Sequence, residues 1–282
     1  MSTHSGNQRI MAEGHSHNPL THALDHSTLE IPFVGEIELG VIDLGFAQFQ
    51  LTRFMVMEVV AALLVMAFLL PLAAHAAKNH VTRGRFLNLI EAIVLFIRNT
   101  IARPSIGEHD ADFFVPYLGT AFFFVLINNL LGLIPGGASP TGNINVTAVL
   151  ALSTLVMVFI AGMRASGVAG FWLKLVPHLD VPIWLKPVLW PLLFVIELLG
   201  LLIRHFVLAI RLFANMLAGH VVLGVILGFI LGATGYMQYV VAPASVLGTV
   251  CLSFLELLVA FLQAYIFTLL SALFIGSAAH PH

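Results

Sequence analysis

Charged side chains are scarce in this chain: only 9% of its 282 residues are Asp, Glu, Lys or Arg, whereas 59% are hydrophobic. With a mean hydropathy of +0.99, this composition excludes an ordinary water-soluble domain. The formal net charge of -2, without a basic tail, gives no electrostatic reason to expect nucleic acid as a partner. A single cysteine, Cys251, excludes an intramolecular disulfide and a multi-thiolate metal site. The composition therefore predicts a protein embedded in the lipid bilayer.

The apolar runs predict an all-α polytopic membrane protein. A helix needs about 20 apolar residues to cross the hydrocarbon core. Runs of this length predict two to three conventional spans, at about 54–77, 113–134 and 144–163. Residues 84–101 mix apolar with charged side chains, which favours an amphipathic helix lying at the membrane interface. Residues 54–282 are thus expected to form a single membrane domain.

The first 53 residues are polar and are predicted to lie outside the membrane. Histidines recur here without the spacing that would place metal ligands on one helical face, so we expect disorder and not a metal site. These residues are His4, His15, His17, His22 and His26. Residues 36–44, EIELGVIDL, alternate polar and apolar side chains, which predicts a short strand or hairpin near the membrane surface. Nothing in the sequence indicates a cofactor.

The basic residues predict the orientation of the chain, because Lys and Arg cluster in cytoplasmic connections. One cluster follows the first span and another follows the third span. Their members are Lys78, Arg83, Arg85, Arg98 and Arg103, and then Arg164, Lys174 and Lys186. The N-terminus is therefore expected outside the cell and the C-terminus in the cytoplasm.

Two further apolar runs, residues 187–230 and 238–275, are too long for ordinary spans. A continuous helix over the first run would measure about 66 Å, against about 30 Å for the hydrocarbon core. Each run must therefore break or lie steeply tilted. The sequence GATGYMQ, which connects them, has the composition of a reversal. We expect a C-terminal hairpin of two long, steeply tilted helices.

Charges in this hairpin are few, and all of them lie inside the apolar runs. Between Pro187 and His282 the charged residues are Glu197, Arg204, Arg211 and Glu256. Such residues are costly in a membrane and persist mainly where they face a protein interior, a partner or an ion path. The three on the first helix recur every seven residues, so they form one polar stripe. This pattern predicts an ion-conducting membrane protein.

Polar residues on the two helices are expected to meet. Asn215 extends the first stripe by one turn, and Gln263 follows Glu256 by seven residues on the returning helix. If the chain reverses near residue 237, Arg211 lies level with Gln263. The same reversal brings His220 level with Glu256, and an imidazole beside a carboxylate can relay protons.

Two neighbouring residues on the first helix have other interpretations. Arg204 lies closer to the cytoplasm than Arg211, so it either snorkels, pairs with Glu197, or belongs to the ion path. His205 is expected at the membrane interface.

Four stretches resemble the a subunit of rotary (F-type) ATP synthases. They are RLFANMLAGH (211–220), FLQAYIFTLL (261–270), NNLLGLIPG (128–136) and NVTAVLAL (145–152). The resemblance extends from about Phe54 to Ile275, and its arginine and glutamine motifs are highly specific.

The resemblance assigns roles to individual residues. It implies that Arg211 is the family's essential arginine, and that the amides of Asn215 and Gln263 orient water or the arginine by hydrogen bonds. Some bacterial members have a carboxylate at the position of His220 and a histidine at the position of Glu256. In this respect the chain is similar to the mitochondrial form, and the exchange keeps one imidazole and one carboxylate.

The resemblance further implies a stator subunit that is not itself catalytic. Such a subunit provides two aqueous half-channels through which protons reach and leave the carboxylates of a rotating ring of small hairpin (c) subunits, which couples proton flow to ATP synthesis. Other implied partners are peripheral-stalk b-type subunits, the rest of the complex and the lipid bilayer. The expected location is the bacterial plasma (inner) membrane, in preference to the mitochondrial inner membrane. The site that selects the ion, H⁺ or Na⁺, is expected on the ring.

In such a subunit Arg211 acts as a fixed positive charge, because a guanidinium stays protonated. A charge of this kind favours the ionised form of a passing ring carboxylate and blocks leakage between the half-channels. His220 and Glu256 can titrate and suit the channel from the outside, whereas Glu197 suits the path to the cytoplasm.

Two other classes of membrane protein are alternatives. An ion-coupled secondary transporter would show an internal repeat with broken helices in both halves, whereas the polar residues here lie in one hairpin. A haem-binding cytochrome would need histidines paired across helices at one level, whereas His205 and His220 lie on the same predicted helix.

Overall fold

Apolar α-helices form most of the computed structural model, which describes residues 28–31, 35–38, 41–43, 48–50, 53–77, 84–134, 139–176 and 185–280. In chain order the helices are α1 (Arg53–Ala77), α2 (Arg85–Phe96), α3 (Arg103–Ile106), α4 (Ala111–Gly132), α5 (Ile144–Ser166), α6 (Val168–Lys174), α7 (Lys186–Gly232) and α8 (Tyr236–Ala279). A π-helical turn, Ile97–Ala102, joins α2 to α3, and a 3-10 turn, Pro140–Gly142, precedes α5.

Five of these helices, α1, α4, α5, α7 and α8, are long and apolar enough to cross a membrane. The first three fall on the apolar runs predicted as conventional spans, with small differences at their ends. The last two correspond to the predicted hairpin. The protein is therefore a helical polytopic membrane protein.

Short strands precede the first helix and add a small β component to the predicted all-α fold. β1 (Thr28–Ile31) pairs antiparallel with β2 (Gly35–Glu38), and β3 (Val41–Asp43) pairs antiparallel with β4 (Gln48–Gln50). Because β2 and β3 fall on the alternating stretch EIELGVIDL, the predicted strand is confirmed. The N-terminal histidines considered as metal ligands lie outside the described residues.

The core of the bundle is centred on α4. In the most apolar stretch of α4, 67% of the residues are buried inside the protein, against 11% in the corresponding stretch of α1. The helix packs against α1, α8 and the π-helical turn. Its side chains Phe114, Leu118 and Val125 are almost fully buried. A helix covered on most sides does not need a single apolar stripe, which explains why α4 is hydrophobic all round.

Residues 85–106 form one nearly continuous helical segment that packs on this core. Ile90, Ile97 and Ile101 are buried and share one face, as expected of an amphipathic helix. On the polar side, the Arg98 guanidinium donates two hydrogen bonds to the carboxylate of Asp112, at 2.7 and 2.6 Å. This bidentate pair ties the π-helical turn to the start of α4.

The end of α8 is held against α3. Gly276 allows the backbone of α8 to approach the carbonyl oxygen of Ser105 so closely that an added Cβ would overlap it. The imidazole of His280 donates from Nε2 to the carbonyl oxygen of Ile106 at 2.9 Å. These contacts limit sliding of α8 along its own axis.

The C-terminal hairpin consists of α7, with 47 residues, and α8, with 44. The sequence predicted that each long run either breaks or lies steeply tilted. In the structure α7 does not break: it is one continuous helix about 70 Å long. The chain reverses at residues 233–235, inside the predicted GATGYMQ, where Gly235 has a φ of 66° that favours glycine.

Candidate functional site

The part of the predicted stripe nearest the start of α7 contains an ion pair. Nη2 of Arg204 lies 3.8 Å from Oε1 of Glu197, and the two side chains are 51% and 39% exposed. Seven residues apart, they are two turns from each other on the same face of α7. The pairing with Glu197 is therefore present, and both groups remain accessible from outside the bundle.

Arg211 and Asn215 lie half-buried at an edge of α7. Leu212 and Met216, the residues that follow each of them, are buried in the bundle. Met216 packs at the end of α4, where an added Cβ on Gly132 would lie 3.0 Å from its Cε atom. The guanidinium therefore stands between the packed face of α7 and its open face.

Gln263 is buried on α8, with 6% of its surface exposed. Its neighbours Ala260 and Ala264 are also buried, and their small side chains leave the helices close together. The amide thus lies in the helix-packed interior, whereas the arginine on α7 lies at the edge.

Glu256 meets α7 at Gly219. A Cβ added to Gly219 would overlap the Oε1 atom of Glu256, so the carboxylate lies directly over the glycine backbone. His220 is the next residue of α7 and is half-buried, as is Glu256. Glycine at 219 therefore makes the space that the carboxylate occupies, one residue before His220 on α7.

The register of the hairpin follows from such contacts. Gly219 with Glu256, and Ile226 with Gly248, are pairs centred close to residue 237, the centre expected from the sequence. The turn itself lies a few residues earlier, at 233–235. The first turn of α8 accounts for the offset, because Tyr236 and Tyr239 are 93% and 82% exposed and do not pack against α7.

His205, which the sequence predicts at the membrane interface, lies in the packed interior of the helical bundle. It is 4% exposed and buried between α7 and α8, with its ring 5.2 Å from that of Phe274. Nδ1 donates to the carbonyl oxygen of Leu201 at 2.8 Å, and Nε2 is buried without a hydrogen-bond partner among the described residues. On α7, His205 lies on the same face as the buried Leu208 and Leu212, and this helical spacing is the sequence pattern that indicates its burial.

The arrangement joins three chemical functions in one hairpin of apolar helices. A guanidinium lies at the edge of α7, and nearer the turn a carboxylate lies over Gly219, the residue that precedes His220. A second carboxylate is accessible nearer the start of α7. Titratable groups on both sides of a fixed charge define an ion-translocating membrane protein.

The family follows from comparison with known proteins. The family model described as ATP synthase A chain matches residues 55–276, which is most of this chain. The chain belongs to this family, the proton-channel stator subunit of the F-type ATP synthase. This membership does not favour the alternative of a secondary transporter.

Curated relatives agree with the family match. ATP synthase subunit a of Chloroherpeton thalassium is 40% identical over 260 residues, which cover 91% of this chain and 75% of that protein. The subunit a of Myxococcus xanthus is 43% identical over 251 residues, covering 88% of this chain and 79% of the relative. ATP synthase subunit a 2 of Chlorobaculum tepidum is 42% identical over 262 residues, covering 91% and 71%.

Proposed function

We propose that Arg211 separates two aqueous half-channels that lead protons to and from the carboxylates of a rotating ring of c subunits. The observation that carries the proposal is the close approach of the Glu256 carboxylate to Gly219, the residue before His220. Both lie on the same hairpin as the half-buried Arg211. Because a guanidinium in a low dielectric favours the ionised form of a nearby carboxylate, a ring carboxylate would release its proton as it passes.

The outer half-channel contains His220 and Glu256, whose side chains can both exchange protons. The cytoplasmic half-channel contains Glu197 and Arg204, which stay accessible in the structure. Asn215 and Gln263 cannot titrate; they orient water or the arginine by hydrogen bonds.

The ring occupies the open face of α7. Val207, Ile210, Ala214, Ala218 and Val222 are exposed and follow one another at helical spacing beside Arg211. The two alanines allow a neighbouring helix to approach the backbone closely.

The hairpin lies steeply tilted in the bilayer, because a helix of about 70 Å exceeds a hydrocarbon core of about 30 Å. Residues 1–53 lie outside the membrane and 54–282 form one membrane domain, with the N-terminus outside the cell and the C-terminus in the cytoplasm. The subunit works within the ATP synthase complex, with peripheral-stalk b-type subunits as further partners.

The central test removes the fixed charge. In inverted membrane vesicles, Arg211→Ala is expected to abolish ATP-driven acidification while the complex still assembles, because no other side chain supplies that charge at the site. Arg211→Lys is also expected to fail, since an ammonium lacks the planar fork and loses its proton more readily when buried. Arg85→Ala, which removes an exposed arginine of α2, is the control and should pump normally. Normal acidification in either Arg211 variant would contradict the proposal.

A further inference from the structure

The hydroxyl groups of α8 divide into two sets. Most of its serine and threonine side chains donate to a backbone carbonyl three or four residues earlier, which is the usual way to satisfy a hydroxyl in a helix. These residues are Ser253, Thr268, Ser271 and Ser277. Ser245 and Thr249 make no such bond in the described part of the chain, and both lie between Glu256 and the outer turn.

Thr249 is the more informative of the two. Its Oγ1 atom is buried and has no hydrogen-bond partner among the described residues. Ser245 is itself buried, with 8% of its surface exposed. A buried hydroxyl without a partner destabilises a fold, so a position that retains one is expected to bind something there.

Both hydroxyls share a face with the proposed proton path. At 100° per residue, Ser245, Thr249 and Glu256 lie within about 40° of one another, and Gln263 continues the same line. Along the axis, Thr249 lies about 6 Å from Ser245 and about 10 Å from Glu256. Since one hydrogen bond to water spans about 2.8 Å, one water molecule would bridge the shorter spacing and about three would bridge the longer one.

This face of α8 is turned toward α7. At the level of Thr249, an added Cβ on Gly248 would lie 4.0 Å from Cγ2 of Ile226 on α7. The flanking residues Leu247 and Val250 are exposed, as are Phe254 and Leu255 further along. The hydroxyls therefore lie between the two helices and away from the lipid.

We propose that Ser245 and Thr249 line the outer entrance to Glu256 and hold the water through which protons reach it. The inference rests on the proposed function of Glu256. A hydroxyl both donates and accepts hydrogen bonds, so it can order a water chain without changing its own protonation state. The proton moves between water molecules and is taken up by the carboxylate, while Ser245 and Thr249 act as positioning residues.

Isosteric variants test the role of the hydroxyl. Thr249→Val keeps the shape and removes the hydrogen-bonding group, and we expect it to slow proton flux through the membrane sector between about twofold and tenfold. Thr249→Ser keeps the hydroxyl and should retain most of the flux, which would show that the loss in Thr249→Val comes from the missing hydroxyl. Thr268→Val is the matched control, because its hydroxyl on α8 is occupied by the Ala264 carbonyl, and flux should stay unchanged.

Chemical labelling of cysteines from the outer side of the membrane gives a second measurement, which does not depend on proton flux. In a Cys251→Ser background, cysteines at Ser245 and Thr249 should react with a membrane-impermeant thiol reagent added outside, whereas a cysteine at Thr268 should not. Wild-type proton flux in Thr249→Val would overturn the inference about the two hydroxyls. If Glu256→Ala still slows proton flux in that case, the proposed function of Glu256 stands although the inference about the hydroxyls fails. If Thr249→Val fails to assemble, lack of reaction at both cysteines overturns the inference.

Discussion

At the scale of single residues, His205 shows how a buried polar group can be hidden in an apolar pattern. It shares a packing stripe with Leu201, Leu208 and Leu212, yet it carries a ring nitrogen without a partner among the described residues. A buried acceptor without a hydrogen bond costs about 1–3 kcal/mol. The residue is therefore retained at some expense to stability.

Replacing this histidine by leucine is expected to stabilise the fold. His205→Leu completes the apolar stripe, and the free energy of unfolding should rise by roughly 1 kcal/mol, measured as a higher thermal midpoint of the purified complex. The matched control is His75→Leu, because Nδ1 of His75 makes the same bond to a carbonyl four residues earlier, at 2.9 Å, on a half-buried side chain. The idea is wrong if His205→Leu lowers the midpoint more than His75→Leu does.

At the scale of elements, the register of α7 against α8 decides which polar side chains meet. Glu256 reaches Gly219 because the two helices pack along a line centred near residue 237, although the turn lies at 233–235. A shift of one turn along either helix would move Glu256 away from Gly219 and His220. The contacts at the far end of α8, with Ser105 and Ile106, oppose such a shift.

Cross-linking measures this register directly. In a Cys251→Ser background, the pair Ile226→Cys and Gly248→Cys should form a disulfide on oxidation, because these positions face each other across the hairpin. The control pair, Ile226→Cys with Leu252→Cys, is displaced by one turn and should link poorly, since a disulfide needs Cα atoms within about 7 Å. A control pair that links better than the first pair would show that the register is wrong.

At the scale of the whole molecule, the direction of proton flow depends on which end of the bundle faces the cytoplasm. The basic residues after α1 and after α5 favour a cytoplasmic position for those connections, as proposed above. If the connection after α5 is cytoplasmic, α7 runs outward and the Gly235 turn faces the outside. The entrance proposed at Ser245 and Thr249 depends on this orientation.

Labelling of exposed positions at opposite ends tests the orientation. In a Cys251→Ser background, an impermeant thiol reagent should label Asn145→Cys in spheroplasts, because the start of α5 is expected outside. Ser277→Cys, near the end of α8, should be labelled only in inverted vesicles. Both positions are exposed in the structure, so failure to react cannot be caused by burial within the chain. The opposite pattern would reverse the assignment of the two half-channels.

The amino-acid sequence by itself determined the membrane class, the positions of the apolar helices and the residues that carry charge. Long apolar runs fold as helices in lipid wherever they occur, because no water is present there to satisfy the backbone. Arg211, Glu256 and Gln263 could be singled out from the same pattern, since charged and amide groups stand out in such runs. The family motifs then supplied their expected roles.

Only the tertiary structure decided how these residues meet. Three features depend on the packing of α7 against α8. Gly219 makes room for Glu256, and His205 is buried. Thr249 keeps a hydroxyl without a partner among the described residues. Helical periodicity determines the face on which a residue lies, but it does not determine which helix covers that face. Contacts between segments distant in the chain set the register, and the register determines which titratable groups become neighbours.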